Sequence, residues 1–482
     1  MNFGLTLPSP RVCALLVLVF LGFGVIIGGA AGSRVDDTLA ASTRPPIKLI
    51  LPQAPVTPAP ARSAPASEPP PSSSEPEPAP ASEPAPAGEG SSNESSTKTS
   101  SGKSKKSSPA PGSTPNKSGA GSKLPPVKHV FVIMLSNEPY ASAFGPSSVA
   151  RYLTGTLEAK GELLVRYYAI AHEQLANGIA LLSGQGPTPQ TAQNCPTYED
   201  LTPGTVGANE QVTGHGCVYP STTKTLLGQL TAKHLTSRAY VEGMDEGAGG
   251  IGAPPPAADG ACGHPALGMA DPSSAQTPPA GLTYATFRNP FVYFHAVTGS
   301  PACKANDAGL SRLKTDLKSA KSTPSFSYIV PGRCHDGNTT PCAAGAAAGM
   351  GPADSFLAKV VPDILSSKGY KEGGLLVITT DEAPSSGEFA DSSSCCGQPG
   401  FPNLPAPAGA PGTGFQKKGG GQVGALLLSS FVKPHTTNQE PYNHFSLLRT
   451  IEDLFALKHL GYAGLPKVSS FEPPVFSAYT PR

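Results

Sequence analysis

The chain has 482 residues, with 35 Lys+Arg against 34 Asp+Glu and a formal net charge of +1. A balance this even excludes a protein that tracks a phosphate backbone, which needs a basic stripe, so no nucleic-acid partner is expected. Gly and Pro are abundant, at 54 and 55, but many of the prolines crowd into one segment, so the average describes no single part of the chain.

Residues 12–31, VCALLVLVFLGFGVIIGGAA, are 20 uncharged, mostly apolar residues. That length matches a bilayer-spanning helix better than the shorter core of a signal peptide. Arg11 precedes the run and Asp36 and Asp37 follow it, so the positive-inside rule leaves the N-terminus in the cytoplasm and the remainder outside. The small residues from Gly29 to Gly32 before Ser33 keep a cleaved signal peptide open as the rival reading. Under either reading the main domain is extracytoplasmic. The expectation adopted is a signal anchor over 1–33, with membrane contact through this helix and a single-pass location in the cell membrane.

Residues 34–125 are dominated by Pro, Ala, Ser and Glu, as in PASEPPPSSSEPEPAPASEPAPAGEG, and then by Ser, Lys and Gly. No apolar periodicity survives there. Such a segment cannot bury enough surface to offset its ordering entropy, which predicts a disordered stalk. A spacer across a cell envelope and a plain tether are equally compatible with it.

From 126 the pattern changes, and residues 126–482 read as one domain of roughly 350 residues. Strand-length apolar runs follow in order: HVFVIML (129–135), ELLVRYYAI (162–170), RAYVEGM (238–244), SFSYIV (325–330), GLLVITT (374–380) and GALLLSSFV (424–432). Between them lie SSVARYLTGTLEAKG, TKTLLGQLTAKHL, GLSRLKTDLKSAK, ADSFLAKVVPDILSSKG and NHFSLLRTIEDLFAL, all with apolar residues at helical spacing. Continuous apolar strands alternating with helices predict an α/β fold with a largely parallel central sheet covered on both faces.

Nine cysteines are present. Cys13 lies in the anchor; the other eight are an even set in an exported domain, which favours disulfides. There is no C-x-x-C pair of the kind a zinc site uses. Proximity alone makes Cys195 with Cys217, and Cys334 with Cys342, plausible local pairs; the connectivity stays open.

In parallel sheets, sites gather beyond the carboxyl ends of the strands. HVFVIML is followed by Ser136, Asn137 and Glu138, and GLLVITT by Asp381 and Glu382. SFSYIV is followed by PGRCHDGN, and ELLVRYYAI by a stretch holding His172, Glu173 and Gln174. Carboxylates, amides and histidines at one sheet edge are the ligands of a hard divalent cation, which could polarise a phosphoryl oxygen or activate water. Singly, each also reads as an ordinary polar loop.

The order of these motifs adds to that reading. KHVFVIMLSNEPYASAFG, YYAIAHEQLANGIALLSGQGPTPQT, GCVYPSTTKTLLGQL, NPFVYFHAV, SYIVPGRCHDG, LLVITTDEAP, CCG, GGGQVGALLLSSFV and YNHFSLLRTIEDLFAL run along the chain in that sequence. Together they resemble the bacterial phosphoesterase family that contains phospholipases C and acid phosphatases, with an alkaline-phosphatase-like core. The resemblance implies phosphoester hydrolysis, a phosphoester ligand and a divalent metal ion. By position it implies metal ligands at Asn137, Asp381 and Glu382, with His172 beside the nucleophile.

The chain departs from the family at several of those positions. The family's Glu-Asn after the first strand is Ser136-Asn137, and Gln174 stands at the nucleophile. Its Asp-Gly-His is Asp336-Gly337-Asn338, and its Arg-His-Asn-Pro-Phe is Phe287-Arg288-Asn289-Pro290-Phe291. A carboxamide does not ionise to an attacking oxygen, so Gln174 can hold a ligand but should form no phosphoenzyme. Three compensations are conceivable. Glu138 would supply the missing carboxylate, Arg288 would clamp a phosphate beside Asp336 and Asn338, and Glu173 would activate water. The expectation is a phosphoesterase fold with weak or altered hydrolysis; the alternative is a non-catalytic ligand-binding module on the same fold.

Overall fold

The computed structural model describes residues 124–245, 260–275, 282–404, 419–471 and 474–480. The expected anchor over 1–33, and the expected stalk up to residue 123, lie outside the described residues. Among the described residues no helix is long and apolar enough to cross a membrane.

The run His129–Leu135 forms strand β1, buried at every position. Its alternate residues point to opposite faces. Val130, Val132 and Met134 enter one apolar core, and Phe131, Ile133 and Leu135 enter another. Burying one such side chain fully stabilises the fold by about 1.5–3 kcal/mol. Seven further strands join β1 in the central sheet: β2 (Glu162–Leu164), β3 (Ser237–Val241), β4 (Asp307–Gly309), β5 (Phe326–Val330), β6 (Gly374–Thr380), β7 (Ala425–Ser429) and β8 (Thr436–Asn438). Their order is β8-β2-β7-β6-β1-β5-β3-β4. Only β7 runs against its neighbours; the other pairings are parallel.

Helices cover both faces. Helix α1 (Gln174–Ser183) and helix α3 (His444–Leu454) pack Leu175, Ile179, Leu447 and Ile451 into the first core. Helix α2 (Met350–Ser366) packs Phe356, Leu357, Val361 and Ile364 into the second. The architecture is therefore the expected α/β fold with a mostly parallel sheet.

Local expectations failed in three places. ELLVRYYAI is not one strand: β2 stops at Leu164, and Tyr167–Tyr168 pairs separately with Tyr442–Asn443. SSVARYLTGTLEAKG is no α-helix but a π-helical turn over Tyr152–Leu157 and a 3-10 turn over Glu158–Lys160. Gly155 and two threonines are poor helix formers, and the start is capped from afar by Asp354, which accepts N–H bonds from Tyr152 and Leu153 at 2.9 and 2.8 Å. Helix α1 was not foreseen at all. All ten of its positions are buried, so it carries no apolar stripe to read. It ends at Gly184 in the left-handed region, where a Cβ would meet Leu460 O at 2.2 Å.

All eight cysteines of the domain are paired. The two local pairs, Cys195–Cys217 and Cys334–Cys342, form as spacing favoured, and Cys262–Cys303 and Cys395–Cys396 complete the set.

Candidate functional site

Parallel register brings the ends of β1 and β6 together, with Leu135 opposite Thr380. The chain then turns at Asn137, at φ 50°, and its N–H donates to Asp381 Oδ1 at 2.9 Å across 244 residues of sequence. The loop after β5 closes on the same edge, where Ser136 N–H donates to the Asp336 carbonyl at 2.7 Å. Helix α1 begins there too. Glu173, at φ 76°, precedes it and donates its N–H to Glu382 Oε2. A positive φ at a residue with a side chain costs on the order of 1–3 kcal/mol and persists only where its surroundings impose it.

These ends line a cavity of about 390 Å³ that holds Asn137, Glu173, Gln174, Arg333, Asn338 and Glu382. Gln174 is buried, and both ends of its carboxamide are engaged. Its Nε2 donates to Ser136 Oγ at 2.8 Å, and its Oε1 accepts from Asn194 Nδ2 at 2.7 Å. Asn194 Nδ2 also donates to Glu173 Oε2 at 2.6 Å, and its Oδ1 accepts the Leu175 N–H at 3.0 Å.

Asp381 and Glu382 are buried side by side. Burial, outweighing the attraction of Arg288, pushes the Asp381 carboxyl up to about 7. Burial, then the charges of Asp381 and Glu173, push Glu382 well above the usual range. Burial also raises Glu173. Among the described residues neither Asp381 nor Glu382 forms an ion pair with Lys or Arg; His172 Nδ1 lies 3.8 Å from Glu382 Oε2. Two adjacent buried acids, with the side-chain amides of Asn137 and Gln174 beside them, offer oxygen ligands that fit a hard divalent cation. Asp381, Glu382 and the amides of Asn137 and Gln174 would hold it, with two certain carboxylates. A second acidic cluster, Cys262 with Cys303 and Asp307, is no metal site, because its sulfurs are bonded to each other.

Other candidates fall elsewhere. His172 donates from Nδ1 to the Ala383 carbonyl at 3.1 Å and accepts at Nε2 from Ser392 Oγ at 2.8 Å, so it ties α1's approach to the loop after β6. Glu138 is buried outside the cavity lining, close to Ser142, and burial raises it to about 7. A Cβ at Gly349 would lie 3.7 Å from its Oε1, so it faces the start of α2 rather than the cleft. The proposed third carboxylate is thus turned away, because φ 50° at Asn137 breaks the extended backbone that would have put Ser136 and Glu138 on one face. Arg288 is spent internally. Its guanidinium pairs with Asp336 Oδ2 at 2.9 Å and donates to the Pro331 and Met134 carbonyls at 2.7 and 3.1 Å. Asp336 in turn accepts the Asn338 N–H at 2.8 Å.

The residues from 152 to 458, more than half of the chain, match the profile of the Phosphoesterase family.

The chain belongs to the Phosphoesterase family.

No curated protein matches it. Similar solved structures include a protein in the alkaline phosphatase superfamily from Vibrio parahaemolyticus, at 10% identity and TM-score 0.38, covering 72% of this chain and 70% of that one. The phosphonate monoester hydrolase of Agrobacterium radiobacter shares 10% identity at TM-score 0.37, covering 73% and 78%. A putative sulfatase from Bacteroides thetaiotaomicron shares 9% at TM-score 0.40, covering 74% and 76%. The likeness concerns fold alone.

Within this Phosphoesterase member, sequence reasoning missed three residues of the cleft and its support. Asn194 carried no signal, since nothing in its local sequence reports what lies 20 residues away. Arg333 was visible as the one cation in PGRCHDGN, but the reading stopped at its neighbours. His444, fully buried at the start of α3, donates from Nε2 to the Asp381 carbonyl at 2.9 Å and accepts the Tyr167 hydroxyl at Nδ1, also at 2.9 Å. Burial lowers it to about 4, so it stays neutral and fixes the Asp381 backbone.

Proposed function

We propose that this protein is an exported, membrane-anchored member of the Phosphoesterase family whose cleft holds a phosphoester without attacking it through a side chain. The observation that carries the reading is Gln174, tied at both ends of its amide to Ser136 and Asn194 at the first position of α1. A carboxamide there has no ionisable hydroxyl, and its hydrogen bonds hold it in place, so no phosphoenzyme forms on it. A divalent cation bound by Asp381 and Glu382 would supply charge to polarise a phosphoryl oxygen. Hydrolysis that remains would use water, with Glu173 as the base. Its carboxyl lines the cleft, and burial raises its basicity, the direction a general base needs. Export is supported by the apolar run at 12–31 and by four disulfides, which persist in oxidising compartments.

The test is phosphate release from an aryl phosphate by the full-length protein with added divalent metals, with mass spectrometry of the quenched protein. Slow release without a phosphorylated residue is expected. Rapid turnover through a covalent phosphoprotein overturns the reading.

A further inference from the structure

We propose that Arg333, with Asn338, Thr339 and Thr340, forms an oxyanion subsite that works without a metal ion and takes the tetrahedral oxyanion of a phosphate or sulfate ester; this rests on the cleft being the ligand site.

The cleft has two chemically different walls. One carries Glu173 and Glu382, and the other carries Arg333, Asn338, Thr339 and Thr340. Arg333 is half-buried, and no described residue makes a hydrogen bond or ion pair with its guanidinium. Its Nη1 is buried without a partner. A buried donor left unpaired is costly, so such a group in a cavity wall marks a place for an acceptor that arrives from outside.

Charge points the same way. Arg288 and Arg333 both lie near Asp336, but only Arg288 pairs with it, at 2.9 Å. Arg288 is held in that pair, so the Arg333 guanidinium has no carboxylate bound to it. Burial lowers the basicity of Arg333, Asp336 restores part of it and Arg288 lowers it further. An arginine stays protonated through such a shift. The acids of the other wall perturb one another rather than Arg333.

The wall is also held in place. The Cys334–Cys342 disulfide closes a loop of sequence separation 8 that holds Asn338, Thr339 and Thr340. Asn338 Oδ1 accepts the Thr340 N–H at 2.8 Å, and its carbonyl accepts the Gly349 N–H at 2.8 Å, which leaves its amide N–H groups to donate. A guanidinium fork, an amide and two hydroxyls offer donors from several directions. A group with three terminal oxygens uses them better than a planar carboxylate does. Preorganised donors of this kind lose little freedom on binding.

The experiment is calorimetric titration of the full-length protein with an aryl phosphate, an aryl sulfate and an aryl carboxylate, each in excess EDTA. Binding of the phosphate or the sulfate in EDTA is expected, and which one binds identifies the ester. Arg333→Gln should weaken it about tenfold or more, while its melting temperature stays at the wild-type value, because the guanidinium makes no internal bond. Should that variant fold poorly, Arg333→Lys carries the test, with an expected loss of about threefold or more because an ammonium lacks the planar fork. Three results overturn the subsite: no binding of either ester in EDTA, unchanged affinity in the folded Arg333 variant, or a carboxylate that binds as tightly. None of these depends on turnover, so a fast covalent phosphoprotein would overturn the Gln174 reading while leaving this one standing.

Discussion

Asn194 reaches Gln174 across 20 residues and holds its Oε1 at 2.7 Å, while the same Nδ2 holds Glu173 Oε2 at 2.6 Å. One amide thus fixes both Gln174 and the candidate base. Its other end caps α1, since Asn194 Oδ1 accepts the Leu175 N–H at 3.0 Å. Asn194→Ala should therefore destabilise the domain by about 1–3 kcal/mol, the cost of buried polar groups left unpaired. Asn194→Asp keeps the cap but sets a second carboxylate beside Glu173, and should be nearly as unstable at neutral pH yet recover on acidification. Denaturant titrations of the three proteins check this; equal stability of wild type and Asn194→Ala would show that the bridge contributes nothing.

Gln174→Ser alone should restore little hydrolysis. It supplies a hydroxyl but loses both amide bonds, and Ser136 offers no carboxylate beside it. Groups that act as a unit recover far less from single repairs than their share. Ser136→Glu, Gln174→Ser and Asn338→His together should release phosphate from an aryl phosphate at least about tenfold faster than any single change. A single Gln174→Ser variant as active as the triple would show that the missing hydroxyl was the whole defect.

Divalent cations should raise the melting temperature of the wild type by relieving the two buried acids. Asp381→Asn or Glu382→Gln should raise metal-free stability and abolish the cation's effect, because each removes one of the charges that clash. Glu138→Gln should leave the cation's effect unchanged, since that carboxyl faces the start of α2. Melting curves with and without Mg²⁺ or Ca²⁺ decide the matter, and a strong loss in Glu138→Gln would place that carboxylate on the ion.

Stability should fall on both sides of mildly acidic pH. Glu452, fully buried on α3, accepts the Leu460 N–H at 2.9 Å through Oε1, while its Oε2 has no partner, and burial raises its carboxyl to about 9. A raised carboxyl stabilises the fold fully below its unfolded value of 4.5, and that contribution is lost as pH climbs through about 9. Burial depresses His444 from 6.5 to about 4, so its contribution is present above 6.5 and disappears as pH falls towards 4. Glu452→Gln should flatten the alkaline limb and melt about 3 °C or more above wild type near pH 9. An unchanged slope from pH 7 to 9 would mean that Glu452 is not the group responsible.

The sequence by itself determined the centre of the sheet. His129–Leu135 and Gly374–Thr380 carry unbroken apolar runs over 130–135 and 375–378 and form strands over the predicted residues, because a strand buried on both faces leaves its record in consecutive positions. It also placed Asp381 and Glu382 at a strand end, which follows from position along the chain, while the reading of Gln174 rested on the resemblance to the family. The tertiary structure alone decided which polar groups meet. Helix α1 left no periodic signal because every side of it is covered, and Asn194 joined the site through a contact that no local pattern encodes. Glu138 left it through one backbone dihedral at Asn137. Arg288 and Arg333 are the same residue type near the same carboxylate, yet one is consumed by Asp336 and two carbonyls while the other faces the cleft with a donor unpaired. Hydrogen-bond partners over such separations are set by how the elements dock, and docking is what a one-dimensional pattern of apolar and polar residues does not record.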